Sequence, residues 1–254
     1  MSLTVLLSND DGIRAEGLEA LVKAFAPDWH VVVSAPMHQQ SGMAHALTVG
    51  KPMEIVEDKY MKETYGVEAY AIDGTPTDCV KIYLEAIAGE TRQPDVVISG
   101  INHGANLATD ILYSGTVGAA MEGYLHDIHS FAVSLDIDSE LSYDETAEAL
   151  EAYLRTLDLA QREKRYFYNM NFPRRFRGGR AQYVFSRQGK RDYINAFTRE
   201  TRADGRTFYM MSGEIYDRDK GEATDIYATE AGFVSVTPLI TDLSDYPHLD
   251  EKLR

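Results

Sequence analysis

Four short segments of the 254-residue chain carry residue types that could do chemistry. Ser8-Asn9-Asp10-Asp11-Gly12 sets two adjacent carboxylates directly after a short apolar run. Hard divalent ions take oxygen ligands, and Mg2+ usually takes one or two carboxylates while keeping several waters. A loop can converge both side chains on one cation; Asp10 and Asp11 can equally be turn or helix-capping residues. Gln39-Gln40-Ser41-Gly42 offers a hydroxyl that can ligate a hard cation, bond a phosphate oxygen or merely shape a polar turn. In Ser99-Gly100-Ile101-Asn102-His103-Gly104-Ala105-Asn106, two glycines let backbone approach a ligand. Asn102 offers an amide oxygen to a cation and Asn106 an NH2 donor to an anion. His103 reads as a structural neighbour of these groups rather than an acid–base catalyst. Tyr113-Ser114-Gly115-Thr116-Val117 opens a helix, where unpaired N–H groups, hydroxyls and the dipole favour an anion. Ser114 or Thr116 could also be plain caps, and Gly118, Ala119 and Ala120 could serve close helix–sheet packing. Taken together, the four segments describe an oxygen-rich cation site beside an anion pocket, the arrangement of metal-assisted phosphate chemistry.

A fifth polar segment, Asp73-Gly74-Thr75-Pro76-Thr77-Asp78, reads as structural. Thr75 suits the N-cap, Pro76 the first helical position and Asp78 the return bond of a capping box. Rival motifs are missing: no Gly-x-x-x-x-Gly-Lys-Ser/Thr, no Gly-x-Gly-x-x-Gly after the first apolar run, and no Gly-x-Ser-x-Gly. A P-loop NTPase, a dinucleotide dehydrogenase and an α/β-hydrolase are thereby disfavoured. The Asp-x-Asp pair of haloacid dehalogenases is not met either, because Gly12 follows Asp11.

The elements that must position these loops are short β-rich runs alternating with helical spacing. Leu3–Ser8, His30–Ser34, Asp95–Ser99, Phe131–Leu135 and Tyr166–Asn171 read as buried parallel strands. Leu18, Leu21, Val22 and Phe25 recur at helical spacing before Pro27. Further helices are expected near 76–88, 116–127 and 143–160. This alternation predicts an α/β fold, a doubly wound, mostly parallel sheet in a three-layer αβα arrangement. All four candidate segments fall in loops after the carboxyl ends of strands, where such sheets place ligands. Leu47–Val49, Met53–Val56 and Ala69–Ile72 suggest short strands, an excursion from the main sheet.

The sequence changes character after Pro173. Residues 174–206 hold ten Lys/Arg against three Asp/Glu in a chain whose net charge is −15, with aromatic and β-branched residues interleaved. They read as β-hairpins with too little apolar mass for their own core, and a long hairpin needs a partner surface. The boundaries expected are a core of 1–185 with 230–239, a hairpin arm of 186–229 and a tail of 240–254 packing on core or partner. The basic stretch either complements an acidic body across a subunit interface or lines the mouth of a partner's pocket.

The charge repels nucleic-acid backbones, so general nucleic-acid binding is not expected, and a phosphate substrate would need a local offset. A chain this long buries about 70–75% of its unfolded surface and needs no staple. The single Cys79 excludes an internal disulfide and suits a reducing compartment. The N-terminal run lacks a basic region and ends at Asn9, and no stretch approaches the ~18 apolar residues of a membrane span. The expected location is cytoplasmic, with no membrane contact.

These segments resemble the SurE family of stationary-phase survival proteins. The matching stretches are LLSNDDGI (6–13), APMHQQSG (35–42), IDGTPTDCVKI (72–82), DVVISGINHGANLATDILYSGTVGAAMEG (95–123) and VSVTPL (234–239). The resemblance implies a nucleotidase using one divalent cation per subunit, Mg2+ or Mn2+, on nucleoside 5′- and 3′-monophosphates. Short polyphosphate is a further substrate in view. It also implies a Rossmann-like core whose C-terminal hairpin arms are exchanged between subunits of a dimer or tetramer. The family's metal ligands fall on Asp10, Asp11, Ser41 and Asn102, and its phosphate-pocket residues on Asn106, Ser114, Gly115 and Thr116. Asp11 could instead be a base or nucleophile. Two stretches depart from the family pattern: Met37-His38 replaces Asp-Arg, and Met43-Ala44-His45-Ala46 replaces Ala-Gly-His-Ser. Both sit at the lip of the pocket. A non-catalytic metal- and nucleotide-binding sensor would use the same residues without releasing phosphate.

Overall fold

Strand β1 (Thr4–Ser8) is apolar on both faces, and that decides the layering. Val5 and Leu7 belong to one cluster of buried side chains and Leu6 to another, on opposite sides of the sheet. The structure is a computed structural model that describes residues 3–89, 93–161 and 163–246. On the first face lie helix α1 (Glu16–Phe25) and helix α5 (Tyr143–Leu154). They pack together and bury Leu18, Leu21 and Phe25 with Ala147, Leu150 and Leu154 against the sheet. On the second face lie α3 (Pro76–Ile82) and α4 (Gly115–Leu125). Val80, Tyr83, Leu84 and Ala119 there cover Leu6, Val32 and Val97. Each such large apolar side chain contributes about 1.5–3 kcal/mol when fully buried.

The inner strands β2 (His30–Pro36), β4 (Glu68–Ile72), β5 (Val96–His103), β6 (His129–Leu135) and β7 (Phe167–Phe172) run parallel with β1. Three strands complete the sheet: β3 (Ile55–Glu57), β8 (Tyr183–Phe185) and β13 (Val234–Pro238). Among the described residues the nine-stranded order is β3-β4-β2-β1-β5-β6-β7-β13-β8, with β3 and β13 antiparallel to β4 and β7. The chain leaves β1 toward β2 and returns on its other side as β5. The crevice between β1 and β5 is therefore the topological switch point, where doubly wound sheets bind ligands. The expected α/β class and three layers are found.

Some expected elements differ in detail. The helix near 143–160 ends at Leu154. The one near 76–88 changes to a wider turn over Tyr83–Ile87. Leu47–Val49 is not a strand, because the Thr48 N–H goes to the Asp78 carboxylate at 2.9 Å. Between β3 and β4 an unexpected helix, α2 (Lys59–Tyr65), is capped by Asp58 and closed by Gly66 at φ 69°. The capping box of Thr75 and Asp78 forms as expected.

Beyond β8 the chain forms a two-stranded ribbon. β9 (Lys190–Ile194) pairs with β12 (Glu214–Asp219), and β10 (Phe197–Thr201) with β11 (Thr207–Met211). Its apolar side chains lack a core: Phe197 is 59% exposed, Met210 65% and Met211 77%. Helix α6 (Asp225–Glu230) then buries Ile226 and Ala228 and leads into β13. Of the expected tail, residues 247–254 lie outside the described residues. Among the described residues no helix is long and apolar enough to cross a membrane.

Candidate active site

The turn after β1 is built by Asn9. Its side chain accepts from the Gly12 N–H at 3.1 Å and donates to the Gly12 carbonyl at 3.0 Å, with Gly12 at φ 103°. A side chain at that φ would be strained, which fixes the glycine. The turn leaves Asp10 buried, 6% exposed, and Asp11 half-buried beside it.

Asp10 faces the first turn of α4. The Thr116 hydroxyl donates to Oδ1 of Asp10 at 2.7 Å. Gly115 lets the helix approach: a Cβ there would stand 3.0 Å from the Asp10 Cβ and 3.1 Å from its Oδ2. Burial pushes the Asp10 carboxyl up to about 6, with the charge of Asp11 adding and the Thr116 bond opposing. Asp11 accepts from the Gln39 side-chain amide at 3.1 Å and from the His103 backbone N–H at 3.3 Å. Among the described residues neither carboxylate touches a cationic side chain. Two adjacent acids, one of them buried, with only neutral hydrogen-bond partners form a donor set suited to a hard cation.

The loops of β2 and β5 close on the same edge. Residues 37–46 are tied by the Gln40 N–H to the Asp10 carbonyl at 2.7 Å and the Ala44 N–H to the Tyr113 carbonyl at 3.0 Å. Ser41, between these ties, is exposed. Asn102 follows a register break in β5 and donates its NH2 to the Gly104 carbonyl at 2.7 Å, which leaves its amide oxygen uncommitted. Backbone contacts thus link the loops of Ser41 and Asn102 to Asp10 and Asp11. His103 holds Asp11 through its backbone, and its ring nitrogen Nδ1 meets the Tyr143 hydroxyl at 3.0 Å.

On the anion side, Ser114 is the N-cap of α4 and accepts from the Val117 N–H at 3.2 Å, so its own proton is free to donate. Gly115 and Thr116 present the first N–H groups of the helix. The Thr116 hydroxyl is committed to Asp10 rather than turned to an anion. Asn106 is buried and donates one amide hydrogen to Ser134 Oγ at 2.9 Å, which leaves the other. Two residues absent from the sequence reading fix its backbone. Asn171 accepts from its N–H at 2.8 Å, and the side chains of Asn169 and Asn171 donate to its carbonyl at 2.8 and 3.1 Å. Both are buried polar residues two apart on β7, which places them on one face. That spacing was the available signal.

The span from Asn106 to Ser114 is held by residues near the ribbon's root, also unforeseen. The Ala108 N–H goes to Asp225 at 2.8 Å, and Gln188 donates to the Ala108 carbonyl at 2.8 Å. Asp110 takes Arg191 at 3.2 Å and the Tyr193 hydroxyl at 2.9 Å, while Arg191 also pairs with Asp217 at 2.7 Å. Burial raises the Asp225 carboxyl, against three backbone N–H bonds that lower it.

A separate group, Glu85, Glu122 and His126, places ligand atoms within 4.8 Å of one another. It lies toward the far end of α4, about 10 Å along the axis from Thr116. Lys81 already meets Glu85 at 2.7 Å and Glu122 at 2.9 Å, supplying the positive charge a metal would bring. Cys79 is buried within α3 and its thiol is pushed well above the ordinary range, so it is no nucleophile.

The chain is similar to known proteins over nearly its whole length. The family profile described as Survival protein SurE matches residues 5–195. A protein named 5′-nucleotidase SurE from Heliobacterium modesticaldum is 40% identical over 250 residues, covering 98% of this chain and 90% of that protein. Its namesake from Natranaerobius thermophilus is 39% identical over 249 residues, covering 96% and 95%. The crystal structure of the SurE protein from Aquifex aeolicus superposes with a TM-score of 0.80 at 35% identity, covering 98% of this chain and 97% of that one.

Proposed function

The chain belongs to the SurE family of survival proteins, and on that footing we propose that it is a divalent-metal-dependent phosphomonoesterase of nucleoside 5′-monophosphates. Nucleoside 3′-monophosphates and short polyphosphate are further substrates of the same site in this reading. The observation that carries it is the setting of Asp10, a buried carboxylate aimed at the N-terminus of α4 with no cationic partner among the described residues. Negative charge facing a helix N-terminus is favourable, and a cation there would let a phosphate share the same corner.

Asp10, Asp11, Ser41 and Asn102 would hold one Mg2+ or Mn2+. When bound, the ion neutralises a phosphate oxygen and acidifies a water. The chain's own groups do the rest. Thr116 orients Asp10 through Oδ1 and leaves Oδ2 for the cation. The Gly115 N–H, the Ser114 hydroxyl and the second amide hydrogen of Asn106 are donors for the oxygens that gain charge in the transition state, while both the hydroxyl and the N–H of Thr116 go to Asp10. Asp11, held by Gln39 and His103, shares the cation or takes the proton of the attacking water. A cavity of about 580 Å3 lined by Glu16, His103, Asp136 and Tyr143 adjoins the site through His103.

The arm, 186–229, exchanges between subunits of a dimer or tetramer in this reading, set against a core of 1–185 with 230–239. The exposed Phe197, Met210 and Met211 on the outer strands β10 and β11 of the ribbon support it, since such a ribbon is marginal alone. The acidic surface, single buried cysteine and lack of a membrane-crossing helix among the described residues support a cytoplasmic enzyme. The test is phosphate release from a panel of 5′- and 3′-nucleotides and short polyphosphate with Mn2+, with and without EDTA. Release that requires the ion is expected; tight nucleotide binding without release would make the chain a sensor instead.

A further inference from the structure

His45 has no part in the reaction described above, yet it makes a strong contact with a buried group. Glu122 on α4 is 2% exposed and accepts from Nε2 of His45 at 2.8 Å. Lys81 donates to its other oxygen at 2.9 Å, and Nδ1 of His126 lies 3.6 Å from that oxygen. A carboxylate this deep needs charged or hydrogen-bonding partners. Lys81 meets that need at one oxygen and His45 at the other, so the histidine's contact satisfies Glu122 and holds something else as well.

That something is the loop on which His45 sits. Residues 37–46 carry Ser41, and Ser41, Gly42 and Met43 are all exposed, so burial does little to order them. Fixing each backbone costs conformational entropy, which discrete ties must offset. Three ties are backbone bonds, Met37 to Ile72, Gln40 to Asp10 and Ala44 to Tyr113, and the Thr75 hydroxyl to the Ala46 carbonyl and the Gln39 amide to Asp11 are two more. The link from His45 to Glu122 is made by a side chain and draws on a full charge. The loop also touches α4 backbone to backbone: a Cβ on Gly118 would stand 2.1 Å from the Ala44 carbonyl oxygen, and Ala44 takes φ 51° to lie there.

We propose that His45, through Glu122, is a positioning residue that clamps the Ser41 loop onto α4 and thereby sets the affinity of the cation site. This rests on the metal-site reading above. Removing the clamp leaves Asp10 and Asp11 in place but lets Ser41 wander.

Mn2+ binding measured by electron paramagnetic resonance on the purified full chain tests the proposal without turnover. Wild type is compared with His45→Ala, His45→Gln and Glu122→Gln. His45→Ala should weaken Mn2+ about tenfold or more, the range for outer partners of metal ligands. Its metal-free melting temperature should fall only by the loss of one charged hydrogen bond, because Oε1 of Glu122 keeps Lys81 while Oε2 loses its partner. His45→Gln, whose amide can still donate to Glu122, should recover most of the affinity. Excess Mn2+ should restore the turnover of His45→Ala. Wild-type affinity in His45→Ala, or a turnover deficit that persists at saturating Mn2+, overturns the proposal. If His45→Ala fails to fold, Glu122→Gln decides: weakened Mn2+ supports the clamp and unchanged affinity refutes it. Failure of the wild type to bind Mn2+ would instead overturn the metal site itself, a different result.

Discussion

The Thr116 hydroxyl donates to Oδ1 of Asp10 at 2.7 Å, joining residues 106 positions apart in the chain. The bond couples the end of the first strand to the first turn of α4, so the cation side and the anion side of the site are set by one contact. A carboxylate buried to this degree is held ready for a positive partner, and its pKa, raised to about 6, registers the cost of lacking one.

Asp10→Asn should leave the fold intact and nearly abolish turnover. The amide keeps the shape and the Thr116 contact but loses the charge. Removing one electrostatic group of this kind typically costs about 10²–10³ in rate. A second readout is thermal: Mn2+ stabilises wild type by mass action in proportion to its affinity, and Asp10→Asn should lose that upward shift. An active variant, or one still stabilised by Mn2+, would remove Asp10 from the site.

Gly118→Ala and Gly123→Ala should fail in different ways, although both add one methyl to the same helix. At Gly118 the methyl would strike the Ala44 backbone oxygen at 2.1 Å, so the exposed loop of Ser41 must lift. Mn2+ affinity and turnover should fall while the melting temperature changes little. At Gly123 it would sit 2.6 Å from a Val97 methyl and 2.7 Å from Ser130 Oγ, inside the sheet packing. Overpacking there costs about 1–3 kcal/mol, which should appear as a lower denaturation midpoint with Mn2+ affinity retained.

Stability should fall in acid through His129. Burial lowers its pKa below the ordinary histidine value of 6.5. The Tyr166 N–H donates to its Nδ1 at 3.1 Å, so the proton is on Nε2, which faces the Gln161 carbonyl at 3.1 Å. The unfolded chain takes up a proton first as pH drops, so the stability is present above 6.5 and lost as pH falls through the folded-state value. Urea midpoints measured between pH 7.5 and 5.5 should show a steeper loss in wild type than in His129→Gln. Equal slopes would place the acid sensitivity elsewhere.

The parallel core was legible because its strands are unbroken apolar runs such as Val31–Val33 and Val96–Ile98, buried on both faces. The candidate loops were legible because they follow those runs and carry paired oxygen groups. Helix α2 was not: Met61 is its one buried residue, so it has no apolar stripe, and only the caps Asp58 and Gly66 announce it. Of the small residues offered for helix–sheet packing, Ala119 and Ala120 are buried in the core, whereas Gly118 faces the Ala44 loop and Gly123 packs on the sheet. Asn169, Asn171, Gln188, Arg191 and Asp225 reach the site from 63 to 117 positions away. Asn169 and Asn171 carried only their spacing on β7, and nothing local marks Gln188, Arg191 and Asp225, since their meeting with the loop after Asn106 exists only once the chain has returned through β13 beside β7.

Asp225 gives the last of these distant contacts a measurable consequence. Fully buried, it accepts from the N–H groups of Ala108, Gly189 and Ile226 at 2.8, 2.9 and 2.9 Å. It therefore pins the loop two residues past Asn106 to the root of the ribbon and to α6 at once. Asp225→Ala orphans three backbone donors, and a buried unsatisfied donor costs about 1–3 kcal/mol. Asp225→Asn retains one acceptor oxygen and should fall between. The denaturation midpoint should thus order wild type above Asn above Ala, and the affinity for inorganic phosphate as a competitive inhibitor should follow the same order, because the Asn106 loop loosens with each step. A stable Asp225→Ala variant that binds phosphate as wild type does would show that Asn169 and Asn171 hold Asn106 unaided.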